Sequence, residues 1–195
     1  MAQTAESGVR LIPQVVSARY GEDGTGAAPT GVRQMQPTYV DRLCAYLREQ
    51  GIAHTASHHP TRFTAQEIAQ VEHVPGELVA KVVMILADET LEMIVLPATM
   101  KVDAELVEAE TGAERVRLAR EDEFEHVFPD CEVGAMPPFG QFYHVPVLVD
   151  ATLARDPVIL FNAGTHQDVI TLSYTDFERL VKPRVGRFAR TAQAA

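Results

Sequence analysis

The chain is expected to fold as an α+β domain, with a mixed, largely antiparallel sheet or a partly closed barrel surrounded by helices. Strand-like and helix-like patterns alternate irregularly along it, unlike the regular alternation that builds a doubly wound parallel sheet. Residues 79–86 and 91–96 are apolar runs joined across Asp88-Glu89-Thr90, the pattern of a hairpin. With 195 residues, 46% of them hydrophobic, there is material for one good core and little room for a second full domain.

Each element has its own justification. Residues 1–37 mix Gly, Ala, Thr and Gln with little periodicity, and Gly21-Glu22-Asp23-Gly24-Thr25-Gly26 reads as linker; a flexible extension is expected, with residues 11–16 as an isolated strand at most. The fold should begin at Thr38-Tyr39-Val40-Asp41, a capping-box-like start after Pro37. Val40, Leu43, Cys44 and Leu47 then share one helical face, and Gly51 stops the helix. Residues 52–57 read as a strand, and Thr64-Ala65-Gln66-Glu67 opens a short helix through Val71. After the hairpin come a helix over 103–110, a short strand near 115–118 and an acidic helix over 120–128. Residues 134–140 are loop, 145–149, 158–162 and 169–172 are strands, and a last helix spans 173–181. The expected organisation is an extension at 1–37, a domain at 38–182 and a basic tail at 183–195.

Charge narrows the possible partners. The net charge is −10, but residues 1–37 cancel to zero, and from Arg179 onward there are five basic residues and no acidic one. Residues 38–178 therefore carry −15. Such a body does not hold a long stretch of nucleic-acid backbone, although a basic tail and one pocket lysine suffice for the end of a strand. Cys44 and Cys131 form no CxxC pattern, which suits a reducing cytoplasm. No apolar run reaches the 18 or so residues of a membrane span.

Lys81 is the leading functional candidate. It interrupts the apolar strand pattern Val79-Ala80-Lys81-Val82-Val83-Met84-Ile85-Leu86, in a chain with only three lysines. Burying an unpaired ammonium costs several kcal/mol unless it finds a partner, loses its proton or faces a wet pocket. One reading is a side chain that snorkels from a strand end to solvent; the other is a pocket for an anionic or carbonyl-bearing ligand.

Other chemistries fare less well. His54, His58 and His59 suggest a metal site, but on a strand residues four apart lie roughly 13 Å from each other, too far to share one ion; no metal and no cofactor are expected. A GxSxG elbow is missing and Cys131 is a weak nucleophile candidate. Two loops are better placed. Gly134-Ala135-Met136-Pro137-Pro138-Phe139-Gly140 joins a stiff double proline to flanking glycines, and Phe161-Asn162-Ala163-Gly164-Thr165-His166 leaves a strand with small residues and ends in an imidazole.

The order of these pieces resembles the YbaK/EbsC family, which includes the editing domain of bacterial prolyl-tRNA synthetases and its freestanding relatives. The likeness is carried by His59-Pro60, Phe63-Thr64-Ala65-Gln66-Glu67-Ile68-Ala69, Ala80-Lys81-Val82-Val83, residues 134–140, Val149-Asp150 and residues 162–166, and spans about 38–181. It implies a YbaK-like fold and a trans-editing aminoacyl-tRNA deacylase that removes a wrongly attached small amino acid from the 3′ end of tRNA, with tRNA-Pro the expected tRNA and prolyl-tRNA synthetase a possible partner. By the same resemblance Lys81 is the essential lysine, Gly134, Met136 and Pro138 belong to a GxxxP loop beside the aminoacyl group, and Asn162, Gly164, Thr165 and His166 wall the pocket. Thr64 lines the same pocket, or serves only as an N-cap. Asp150 sits at a family-like position, or simply ends a strand.

Ester hydrolysis needs an activated water and a stabilised oxyanion. With no convincing protein nucleophile, direct water attack is expected, helped by the substrate's terminal ribose hydroxyl, with backbone N–H groups of the glycine loops facing the developing charge. The alternatives are a non-catalytic module that senses an amino acid or docks on a synthetase through the same pocket, and a small-molecule esterase using Cys131.

Overall fold

Thr38 starts the first helix as a full capping box: its hydroxyl accepts from the Asp41 N–H, and the Asp41 carboxylate accepts from the Thr38 N–H at 3.0 Å. The computed structural model describes residues 37–60 and 75–191. Thr64, the helix expected from it and the strand expected at 11–16 lie outside the described residues. Helix α1 (Tyr39–Glu49) buries Leu43, Cys44 and Leu47 on one face and ends before Gly51, whose φ of +68° suits a residue without a Cβ.

The described strands are β1 (His54–His58), β2 (Ala80–Ala87), β3 (Thr90–Pro97), β4 (Met100–Val102), β5 (Val116–Leu118), β6 (Val147–Asp150), β7 (Val158–Asn162), β8 (Asp168–Ser173), β9 (Arg184–Gly186) and β10 (Ala189–Thr191). They form three sheets, ordered β5-β2-β3-β6-β9, β1-β8-β7 and β10-β4, and not one closed barrel. Every pairing is antiparallel except β3 with β6 and β6 with β9. The mixed, largely antiparallel α+β architecture stands, and its barrel variant gives way to open sheets. Strands β2 and β3 pair along their whole length, turning at Asp88 and Glu89, both with positive φ, as a two-residue hairpin turn demands.

The remaining described α-helices are α2 (Ala104–Thr111), capped by the Asp103 carboxylate, α3 (Glu121–Phe124), and α4 (Tyr174–Val181), capped by the Ser173 hydroxyl. The acidic helix expected over 120–128 is one α turn followed by a 3-10 turn, Glu125–Val127. The main core lies between α1, α4 and one face of the sheets, filled by Leu47, Met84, Phe139, Phe161 and Phe177. A second cluster on the other face of the larger sheet holds Ile85, Ile94, Val107 and Phe188.

The boundary expected at residue 182 needs correction. Residues 184–186 pair with β6, residues 189–191 pair with β4, and Phe188 between them is fully buried. Their alternation is too short to register as strand in the sequence; only the partners β6 and β4 make them so. Two strand starts shift by two residues, with β1 beginning at His54 and β6 at Val147.

Candidate active site

Lys81 stands near the start of β2, half-buried, on the face shared with Val79, Val83 and Ile85. Its ammonium donates to the carbonyl oxygen of Ala98 at 3.2 Å, the residue just beyond β3. Burial, with a smaller contribution from the charge of Lys101, holds its pKa below the ordinary lysine value. No carboxylate among the described residues forms an ion pair with it. An ammonium has three N–H donors, and one is used.

A single parallel bridge brings the smaller sheet to this lysine. Val79 of the segment entering β2 pairs with Leu160 of β7, and these two pack with Val169 and Ala98. Two residues on, Lys81 and Asn162 therefore point to the same face, because strand side chains repeat with period two. Asn162 is half-buried, and its Oδ1 is buried without a hydrogen-bond partner among the described residues. The cation of Lys81 and the acceptor of Asn162 thus share a face near the contact of β2 with β7. Sequence patterning does not reveal it, because nothing local marks which strand will lie beside β2.

The two glycine-bearing loops are tied together. Glu132 N–H donates to Gly164 O at 2.8 Å, Gly164 N–H to Ala135 O at 3.0 Å, and His166 N–H to the Glu132 carboxylate at 2.8 Å. His166 Nε2 lies 3.1 Å from Val133 O, and its ring covers Gly134, where an added Cβ would sit 3.5 Å from Cε1. Thr165 donates its hydroxyl to Asp168 at 2.6 Å and accepts from the N–H of Gln167 and Asp168, which closes the turn between β7 and β8. Gly164, at φ +95°, packs so closely that a Cβ there would lie 2.9 Å from Tyr39 Cβ.

These contacts correct one expectation. The N–H groups of Ala135, Gly164 and His166 are spent on Glu132 and Ala135 oxygens, and the N–H of Gly134 meets the Met136 sulfur at 3.3 Å. They knit the loops together and do not form a free oxyanion cradle. Met136 and Pro138 are buried, and Met136 packs in the main core. Met136 also borders a cavity of about 370 Å³ with Phe124, Phe128 and Cys131, which neither Lys81 nor Asn162 lines.

The three histidines near β1 turn to different partners: His54 Nδ1 to Ile52 O at 3.0 Å, His58 Nδ1 to the Asp168 carboxylate at 2.8 Å and His59 Nδ1 to Pro60 O at 3.0 Å. Burial raises the pKa of the Cys131 thiol, which lies 3.3 Å from the Tyr143 hydroxyl, so it is a poor source of thiolate. Asp150 is 2% exposed and its carboxylate accepts from the N–H of Thr152, Phe188 and Ala189, a structural role that ties β6 to the end of the chain.

Known proteins share both the sequence and the architecture. The multifunctional Ser/Thr-tRNA deacylase ProXp-y of Escherichia coli (strain K12) is 30% identical over 99 residues, which are 50% of this chain and 59% of that protein. The chain thus spans less than two thirds of this relative. A solved structure described as a candidate trans-editing enzyme for prolyl tRNA synthetase superposes with a TM-score of 0.68 at 18% identity, covering 80% of this chain and 99% of that one. A solved hypothetical protein gives 0.70 at 17% identity, covering 76% and 99%. At such identities the structures speak for the fold alone. The aminoacyl-tRNA editing domain model matches residues 59–180, well over half of the sequence, and the chain belongs to that family.

Proposed function

We propose that the protein is a trans-acting aminoacyl-tRNA deacylase that hydrolyses the ester between a small amino acid and the 3′ end of tRNA. The observation that carries this is Lys81: a half-buried ammonium that uses one of its donors among the described residues, sharing a face with the Asn162 oxygen, which has no partner among them. Its support from relatives is the family itself and the deacylase activity in the name of the Escherichia coli protein. In this reading the ammonium takes the phosphate of the terminal nucleotide or the ester carbonyl oxygen, and Asn162 Oδ1 accepts from the amino group of the attached residue.

Water is the nucleophile: as its oxygen bonds to the ester carbon its proton passes to the neighbouring ribose hydroxyl of the substrate, which hands its own to the departing ester oxygen, leaving free amino acid and a free 3′ end. With the N–H groups of Ala135, Gly164 and His166 occupied, the negative charge that develops on the ester oxygen falls to Lys81. Each charge-assisted hydrogen bond it makes contributes about 1.5–3 kcal/mol, about 10- to 150-fold in rate if formed only in the transition state. His166, set over Gly134, and the buried Gly164 limit the room for the side chain. Size exclusion suits the task, because a synthetase pocket gains only about 1–3 kcal/mol from one methylene and so admits smaller amino acids. The editing domain is assigned to the unit beginning near residue 38, with tRNA-Pro as the tRNA, prolyl-tRNA synthetase as a partner and the cytoplasm as its place. Among the described residues no helix is long and apolar enough to cross a membrane.

Lys81→Ala tests the reading. It should leave the melting temperature close to that of the parent and remove hydrolysis of mischarged tRNA by at least the factor of one such bond. Unchanged turnover would defeat the assignment, and binding of mischarged tRNA by the parent without loss of the ester would make the domain a sensing or docking module.

A further inference from the structure

At the far edge of the fold, β4, β10 and the turn after β6 enclose a groove of about 550 Å³ whose lining includes Thr152, Arg155, Arg187, Arg190 and Thr191. In a chain of net charge −10, this is a local reversal of sign. The one acidic residue in the lining, Asp150, has turned its carboxylate to three backbone N–H groups. Arg190 pairs with Asp103 and with Glu105, whereas Arg155 and Arg187 have no ion pair among the described residues.

Lys101 stands directly opposite Arg190 in the β4–β10 pair, a juxtaposition of like charges that the Asp103 and Glu105 carboxylates on Arg190 partly offset. Lys101 is also the charged group whose field acts on Lys81. Arg155, Arg187 and Arg190 in the lining, with Lys101 across from Arg190, thus gather basic charge on an acidic body. A small anion would need only one of these positions. Several spaced guanidinium groups with hydroxyls between them match the repeated phosphates of a polynucleotide strand.

We propose that this groove docks the sugar-phosphate backbone of the tRNA acceptor stem, with Lys101 bridging it to the strand end held at Lys81. The proposal rests on the deacylase reading for the identity of the RNA. Deacylated total tRNA is the probe, so binding is read apart from hydrolysis. The parent and the Arg155→Ala/Arg187→Ala double variant are compared across salt concentrations, with Arg48→Ala/Arg179→Ala as a control of equal charge change.

Losing two phosphate contacts should weaken binding about tenfold at low salt and reduce the slope of log affinity against log salt by about 1.5. An unchanged affinity and slope, or an equal loss in the control, would overturn the groove. So would loss of inorganic phosphate binding with tRNA affinity intact, which assigns it to a small anion. Failure of the parent to hydrolyse any mischarged tRNA, with the tenfold effect preserved, would instead defeat the deacylase reading and leave the groove standing. Among the described residues the side chains of Arg155 and Arg187 have no hydrogen bond or ion pair to lose, and equal melting temperatures check that the double variant is folded.

Discussion

Lys81 and Asn162 point to one face from strands that meet at a single bridge, Val79 with Leu160. The cation and the buried acceptor therefore depend on a narrow contact between two sheets, and the protonation of Lys81 is its most accessible readout. Burial first, and Lys101 second, lower its pKa. A role as cation is filled below that lowered value and lost as pH rises through it. The kcat/KM for mischarged tRNA, corrected for the spontaneous alkaline hydrolysis of the ester, should fall on the alkaline side before the usual lysine range. Lys81→Arg should abolish this limb in whatever activity it retains, because guanidinium does not titrate there. An alkaline limb unchanged by that substitution would rule Lys81 out as its source.

Gly164 and Gly134 should respond differently to alanine. Both have positive φ, a strain of about 1–2 kcal/mol for a residue with a Cβ. Only Gly164 also meets rigid matter, the Tyr39 Cβ at 2.9 Å, which adds about 1–3 kcal/mol of overpacking. Chemical denaturation should show Gly164→Ala losing about 2–5 kcal/mol and Gly134→Ala about 1–2 kcal/mol. Equal losses would mean that α1 yields readily at Tyr39.

His166→Ala should enlarge the acceptor site for the amino acid. The ring is positioned against Val133 O and over Gly134, so its removal opens space without breaking the Glu132 bond to the backbone N–H of residue 166. A panel of mischarged tRNAs should show larger amino acids gaining about tenfold in kcat/KM relative to the smallest, the scale of about one methylene-sized contact. A parallel fall for all substrates would give His166 a role other than size exclusion.

Deleting residues 183–195 should unfold the domain. The cut removes the fully buried Phe188 and two of the three donors to the buried Asp150. A lost core phenylalanine costs about 3–5 kcal/mol, and an orphaned carboxylate adds a few more, against a total stability of about 5–15 kcal/mol. Circular dichroism of the truncated chain should show loss of cooperative melting. A folded product would mean that β9 and β10 only decorate the edge. Point substitutions in the groove are therefore the sound way to ask whether the basic end of the chain touches RNA.

By itself the amino-acid sequence determined the α+β class, the β2–β3 hairpin, helix α1 with its capping box, helices α2 and α4, and Lys81 as the odd residue of its strand. These are local facts: apolar periodicity, caps and turn residues act over a few positions, so they can be read without knowing what lies beside them. Tertiary structure alone decided the strand character of residues 184–191, the structural use of Asp150, the closure of the loop N–H groups on each other, and the common face of Lys81 and Asn162. Each of these depends on partners far apart in the chain, such as Asp150 with Phe188 and Val79 with Leu160. A hydrogen-bonding group carries no local mark of which distant partner will satisfy it, and the packing of the whole domain makes that choice.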